Sequence, residues 1–252
     1  MPEIVELKIF AKSIKERFFD REVIRADYKK GGFDLNAAVA KKTLTDVRGH
    51  GKEMFFWFNG LPAFSVHLML NGGFAVLNEN TRPAAADVVA ELCFDGGEYL
   101  MVFDPDGYAK MAPFGALPQV PEATRITETE FYSLLAQKSK AAVKNVLCDQ
   151  NCVRGIGNAY ADEILYAAKI SPASKCGKLP DEVKKELYAA MRAVLENAIE
   201  KYAEMYKGVT CGEMRDLVQV HTRARMTPLG ELIKVTEIGG RKTYYTESQR
   251  VF

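Results

Sequence analysis

The sequence lacks any apolar run approaching the ~20 residues needed to cross a bilayer, which argues against a membrane-spanning helix. The opening MPEIVELKIF is too acidic, and its apolar stretch too short, for a secretory signal. A cytoplasmic protein is expected, associated with the nucleoid if its source is bacterial. Cysteine is sparse: five residues, Cys93, Cys148, Cys152, Cys176 and Cys211, with no Cys-x-x-Cys pair, and His50, His67 and His221 stand apart. That pattern argues against a disulfide framework or a zinc site and for reduced, buried thiols. No metal or other cofactor is expected. A dominant charge sign is also missing, since 34 Lys and Arg face 33 Asp and Glu. The near-neutral total argues weakly against a nucleic-acid partner, but distribution matters more than the sum. From Gln119 onward 20 basic residues face 17 acidic ones, whereas before it 14 face 16. The basic excess therefore sits in the C-terminal part.

What is present divides into stretches of different period. A length of 252 residues suffices for one large domain or two ordinary ones. Ile4, Leu7, Ala11, Ile14 and Phe18 recur at helical spacing, which predicts a helix over 4–18. From Val23 to about Gly115, short apolar runs (EMFFWF, PAFSVHLML, GFAVLNEN, VVAELCF, EYLMVF) are cut by Asn-Gly, Gly-Gly and Asp-Gly pairs. Six or so strands in an antiparallel sandwich or barrel are expected there. Pro113, Pro118 and Pro121 mark a linker, and after Thr127 the pattern turns helical up to about Tyr206. ELIKVTEI and RKTYYTES around Gly239-Gly240 predict a terminal hairpin.

Three places can carry chemistry. Pro follows the initiator Met, and loss of Met1 would leave a secondary amine at Pro2. An α-amino group titrates near pH ~8, so part of it is neutral and nucleophilic at physiological pH. A secondary amine condensing with an aldehyde-level carbon gives an iminium ion, with Glu3 and Glu6 nearby as candidate acid or base groups. The second place is Asp149-Gln150 through Gly155-Ile-Gly157-Asn158-Ala-Tyr160-Ala-Asp-Glu163, a helix–turn–helix reading in which Asn158 caps the second helix. Its free N–H groups would suit a phosphate. The third is the Gly239-Gly240-Arg241-Lys242-Thr243-Tyr244-Tyr245 turn, a basic tip backed by tyrosine rings.

Together and in this order, these pieces resemble the formamidopyrimidine-DNA glycosylase and endonuclease VIII family of base-excision repair enzymes. The resemblance covers nearly the whole chain and is most specific in the Asp-Gln to Asp-Glu run, which is similar to the family's helix–two-turn–helix motif. It implies an α+β fold. An N-terminal helix and antiparallel β-sandwich would occupy 1–115 and a linker 116–126. The helix–two-turn–helix domain would span 127–207, and a C-terminal β-hairpin finger 208–252. It implies a bifunctional DNA glycosylase and abasic-site lyase that excises oxidised bases through a Pro2 Schiff base and then cuts by β,δ-elimination. Pro2, Glu3, Glu6, Lys52 and Arg241 would be catalytic. Lys52, His67, Leu70, Tyr108, Lys144, Asn158 and Arg241 would contact DNA, with Leu70 and Tyr108 plugging the gap left by a flipped base. The partner would be double-stranded DNA with damaged bases or abasic sites, bound by a monomer. A protein that binds such DNA without cutting is the alternative.

The sequence also departs from that family. The four zinc-binding cysteines of its usual finger are absent, as in the "zincless" finger, which would be held by packing alone. Asp106 stands where an arginine meets the opposite base, and it could accept from a cytosine amino group. Leu70 replaces a methionine, and the stretch between Gly208 and His221 is short for a lesion-covering loop. The changes at Asp106 and Leu70 lean toward the endonuclease VIII side of the family, so oxidised pyrimidines or ring-opened or oxidised purines are the expected substrates, with no preference for 8-oxoguanine opposite cytosine.

Overall fold

The structure is a computed structural model, and it describes residues 1–78 and 87–252. The chain forms two compact units, one comprising 1–117 with 202–213 and the other 118–201 with 214–252. The finger region therefore belongs with the helices. The piece 202–213 belongs with the first unit, which differs from the expected boundary at 207.

In the first unit, helix α1 (Ile4–Phe18) follows the apolar spacing, and the Glu6 carboxylate accepts from the Glu3 N–H at 2.9 Å. Eight strands come next among the described residues: β1 (Val23–Tyr28), β2 (Leu44–His50), β3 (Glu53–Phe58), β4 (Leu61–His67), β5 (Gly73–Asn78), β6 (Val88–Phe94), β7 (Glu98–Phe103) and β8 (Lys110–Pro113). Glu79 and Asn80, the end of the expected GFAVLNEN strand, lie outside the described residues. Two antiparallel four-stranded sheets result, ordered β1-β6-β7-β5 and β2-β3-β4-β8. A short helix α2 (Leu35–Val39), capped by Asp34, has no counterpart in the sequence pattern; five residues are too few to show a helical period.

Aromatic rings join the layers. Phe56 stacks on Phe64 at 4.6 Å within one sheet and meets Phe74 of the other at 6.0 Å. Phe18 of α1 stacks on Phe94 of β6 at 4.3 Å. Each of these five rings is buried, and burying one contributes roughly 1.5–3 kcal/mol. α1 crosses β2 at Gly49, where an added Cβ would stand 3.2 Å from the Leu7 backbone. The absence of a side chain at Gly49 thus lets the start of the chain approach the β2–β3 turn.

The second unit contains α3 (Glu128–Gln137), α4 (Val143–Cys148), α5 (Asn158–Ala167) and most of α6 (Asp181–Met205). It also contains the hairpin of β9 (Lys234–Ile238) and β10 (Arg241–Tyr245). A Thr127–Glu130 capping box starts α3 where the helical pattern is expected to begin. The expected linker is only partly one. Ala123 and Ile126 are buried, and the Ala123 N–H reaches the Arg154 carbonyl at 2.9 Å, so its second half is core. Among the described residues no helix is long and apolar enough to cross a membrane.

Candidate active site and nucleic-acid interface

The first unit gathers four of the five residues expected to be catalytic around the chain's start, whereas Arg241 belongs to the second unit. Pro2, Glu3 and Glu6 are all buried at the head of α1. Glu6 is engaged in capping the helix, a role that its position in the sequence does not announce. The β2–β3 turn, which needs the positive φ of Gly51, carries Lys52, whose ammonium lies 3.8 Å from the Met1 sulfur. The Met1 amine pairs with Glu213, a partner invisible to sequence reasoning because it lies 212 positions away. Met1 thus occupies the ground between Lys52 and the head of α1. With Met1 in place the Pro2 nitrogen is an amide and not a nucleophile.

Two loops of the same unit carry the expected plug residues. His67 Nδ1 accepts from the Met69 N–H at 3.0 Å, and in a neutral ring this leaves the proton on Nε2. Met69 at φ 57° and the Gly72 N–H bond to the Leu68 carbonyl close a tight turn. A Cβ at Gly72 would collide with the Leu68 oxygen, so the turn requires glycine. Leu70 projects from it, 49% exposed, while Leu68 is buried beneath.

The second loop is organised by Asp104. Its buried carboxylate accepts from the N–H groups of Asp106 at 3.1 Å and Ala109 at 2.5 Å. Lys30 closes the loop from outside through the carbonyls of Gly107 and Ala109. Tyr108 projects from it, 57% exposed. Asn71 Nδ2 donates to Asp106 Oδ2 at 2.6 Å, tying the two loops together.

In the second unit one buried carboxylate organises the remaining residues. Asp162 Oδ1 lies 2.6 Å from the Lys144 ammonium, and both side chains are fully buried. Asp162 Oδ2 meets His221 Nδ1 at 2.8 Å and the Tyr244 N–H at 3.1 Å. Lys144 also donates to Thr243 Oγ1 at 2.7 Å. The expectation that Lys144 grips a phosphate directly does not match this placement. Its charge is spent inside the protein, fastening β10 to α4 and α5.

Asn158 is not the helix cap either. Gly157 holds that position, and Asn158 Nδ2 donates to the Lys242 carbonyl at 2.8 Å. The hairpin tip rests on α4 at Gly239, where a Cβ would collide with Asn145 Oδ1 and φ is 59°. Arg241 and Lys242 are exposed at that tip, and the Lys242 ammonium lies 5.1 Å from the Tyr244 ring centroid.

Glu163 accepts from the N–H groups of Gln219, Val220 and His221 at 2.7–2.9 Å. Burial pushes its carboxyl above the ordinary range, with those donors offsetting only part of the shift. The finger is therefore pinned by polar bonds to two adjacent carboxylates, and not by packing alone. Asp162 lies four residues after Asn158 on α5, so both face the hairpin. Among the described residues, no three His, Cys, Asp or Glu side chains cluster as a metal site would require.

These arrangements have counterparts. Residues 1–111 match the formamidopyrimidine-DNA glycosylase N-terminal domain, and residues 117–208 match the formamidopyrimidine-DNA glycosylase H2TH domain. The formamidopyrimidine-DNA glycosylase of Xanthomonas campestris pv. campestris is 32% identical over 80% of this chain and 79% of its own. That of Mycoplasma mobile is 26% identical over 97% of both. The fold is that of the Lactococcus lactis enzyme, solved with abasic-site DNA (TM-score 0.83, 22% identity, 98% of this chain and 99% of that one). With both domain models matched in order and a relative of this identity covered over most of its length, the chain belongs to the formamidopyrimidine-DNA glycosylase family, and it is a DNA glycosylase.

Proposed function

We propose that this glycosylase is bifunctional, excising oxidised bases from duplex DNA and cutting the strand at the resulting abasic site. After removal of Met1, the Pro2 amine attacks C1′ of the damaged nucleotide and the base departs with the bonding electrons. Proton transfer and ring opening give an iminium ion between Pro2 and the sugar. Loss of the proton from C2′ expels the 3′ phosphate, and a second elimination expels the 5′ phosphate. Glu3 serves the opening ring, and Lys52 holds phosphate beside the lesion and assists elimination. Asn158 and Arg241 engage the backbone from the second unit. Lys144 acts through β10 as a positioning residue.

The observation that carries this reading is the Lys52 ammonium standing over the first residue of the chain, 3.8 Å from the Met1 sulfur. Removing Met1 would expose a secondary amine at Pro2, at the head of α1 and close to the Lys52 ammonium, and a neutral secondary amine is a nucleophile toward an aldehyde-level carbon. Borohydride trapping on an abasic duplex tests it. Processed protein should form a covalent adduct that Pro2→Gly loses or sharply reduces. Absence of an adduct in protein shown by intact mass to lack Met1 would overturn the reading. The pairing of the Met1 amine with Glu213 favours a second reading if that mass shows Met1 retained: a protein that binds damaged DNA without cutting it.

A further inference from the structure

The Asn71–Asp106 bond has no use in the mechanism above, yet it fixes a carboxylate beside both plug residues. Asp106 is fastened next to Leu70 through Asn71 at 2.6 Å and stands two positions from Tyr108. Its backbone is set by the buried Asp104, and the loop is closed by Lys30. Both plug side chains are about half exposed, and the Asp106 side chain is exposed with them. The bond to Asn71 uses one of roughly four acceptor positions on the carboxylate, leaving Oδ1 entirely available.

Any role for Asp106 toward DNA rests on the proposed glycosylase activity, with Leu70 and Tyr108 as the plug. Extruding a nucleotide leaves the opposite base without a partner, its pairing edge turned toward whatever fills the gap. A polar group held beside the plug meets that edge. A carboxylate offers acceptors only. Guanine presents two adjacent donors, N1–H and N2–H, which match the two oxygens as a pair. Cytosine and adenine each present one amino donor next to a ring-nitrogen acceptor. Thymine presents one N–H flanked by two carbonyls. Acceptor set against acceptor leaves desolvated groups without return. The cytosine amino group expected from the sequence would satisfy one oxygen and oppose the other.

We propose that Asp106, positioned by Asn71, is a specificity-determining residue that selects guanine opposite the lesion. The base that pairs with guanine is cytosine, so the substrate class narrows to oxidised cytosines. An oxidised guanine opposite cytosine is disfavoured.

The test measures binding to duplexes carrying one tetrahydrofuran abasic analogue opposite each of the four bases, with an undamaged duplex as reference. The wild-type protein should bind the guanine duplex about tenfold more tightly than the cytosine one, the lower range for one bidentate pair. Asp106→Asn keeps an acceptor for Asn71 but turns an amino group to the base, so the preference should move toward cytosine. Asn71→Ala should leave the melting temperature unchanged and bring the four affinities together, since the carboxylate is no longer held. Equal affinities in the wild type, a cytosine preference, or a guanine preference that survives Asp106→Asn would overturn the inference. If abasic duplexes still bind better than undamaged DNA in that case, the glycosylase reading stands. Failure to distinguish abasic from undamaged duplex overturns both.

Discussion

The two units hold their functional side chains in place by opposite means. In the first, aromatic stacking and the close approach of α1 to Gly49 bring the chain's start to Lys52, while the ion pairs between α1 and the sheets, Lys15–Asp46 and Arg17–Glu98, are partly exposed. In the second, Asp162 and Glu163, two consecutive buried carboxylates on α5, pin the hairpin and its preceding loop. Apolar packing tolerates small adjustments. A buried charge network does not, because removing one member leaves another charge or donor desolvated and unpaired.

That contrast can be broken most directly at Asp162. Asp162→Ala strands the Lys144 ammonium and should cost about 3–5 kcal/mol, read as the shift of the urea midpoint. Converting the pair together, Lys144→Met with Asp162→Leu, should recover much of the loss. A cost under about 1 kcal/mol for Asp162→Ala would show that packing holds the finger after all. On the apolar side, Phe56→Ala should cost about 3–4 kcal/mol by emptying the contact between the sheets, with Trp57 fluorescence reporting the unit that unfolds.

Smaller effects sharpen the comparison. Gly239→Ala adds a methyl where Asn145 stands and forces an L residue to a positive φ, so a loss of about 1–3 kcal/mol is expected in thermal melts. Acid should act on the first unit through Glu98 and Asp46. Arg17 and then Arg21 hold Glu98 below its ordinary 4.5, and burial opposes them only in part. Burial pushes Asp46 up, but Lys15 and Arg48 together outweigh it and leave it below 3.8. For carboxyls lowered in the folded state, the added stability is complete above the unfolded range and is lost as pH falls through the folded values. Trp57 fluorescence should therefore reveal weakening below about pH 4.5, and Glu98→Gln should reduce its slope. Glu163 works in the opposite sense. Its raised carboxyl takes up a proton in the folded state first, so acidification relieves that site. Leu70→Ala and Tyr108→Ala should change stability by less than about 0.5 kcal/mol while weakening abasic-duplex binding.

The same division explains what can be read from the sequence. The 4–18 helix, the sandwich strands, the long helix and the Gly239-Gly240 hairpin all carry apolar periods or turn pairs, which are local signals. Pro2 and Lys52 stand out through their motif positions, and the Lys52 ammonium lies against Met1, the residue before Pro2. The roles of Asp162, Glu163, Thr243 and Asn71 are not legible, because each is defined by partners tens of residues away. Lys144 looks like a surface cation for the same reason. A lysine's letter does not reveal that a carboxylate 18 positions on has taken its charge. Asn158 reads as a cap because Asn favours that position, while Gly157 has the extended backbone that a cap needs.

Gly49 shows how a functional fault can originate in a residue that carries no functional group. A methyl there would act as a shim of a few tenths of an ångström under the first helix, shifting the head of α1 relative to Lys52. Such a variant would fold, melt normally and still bind damaged duplex, yet turn over slowly. Its defect would be one of alignment, in a residue that touches neither substrate nor any catalytic group.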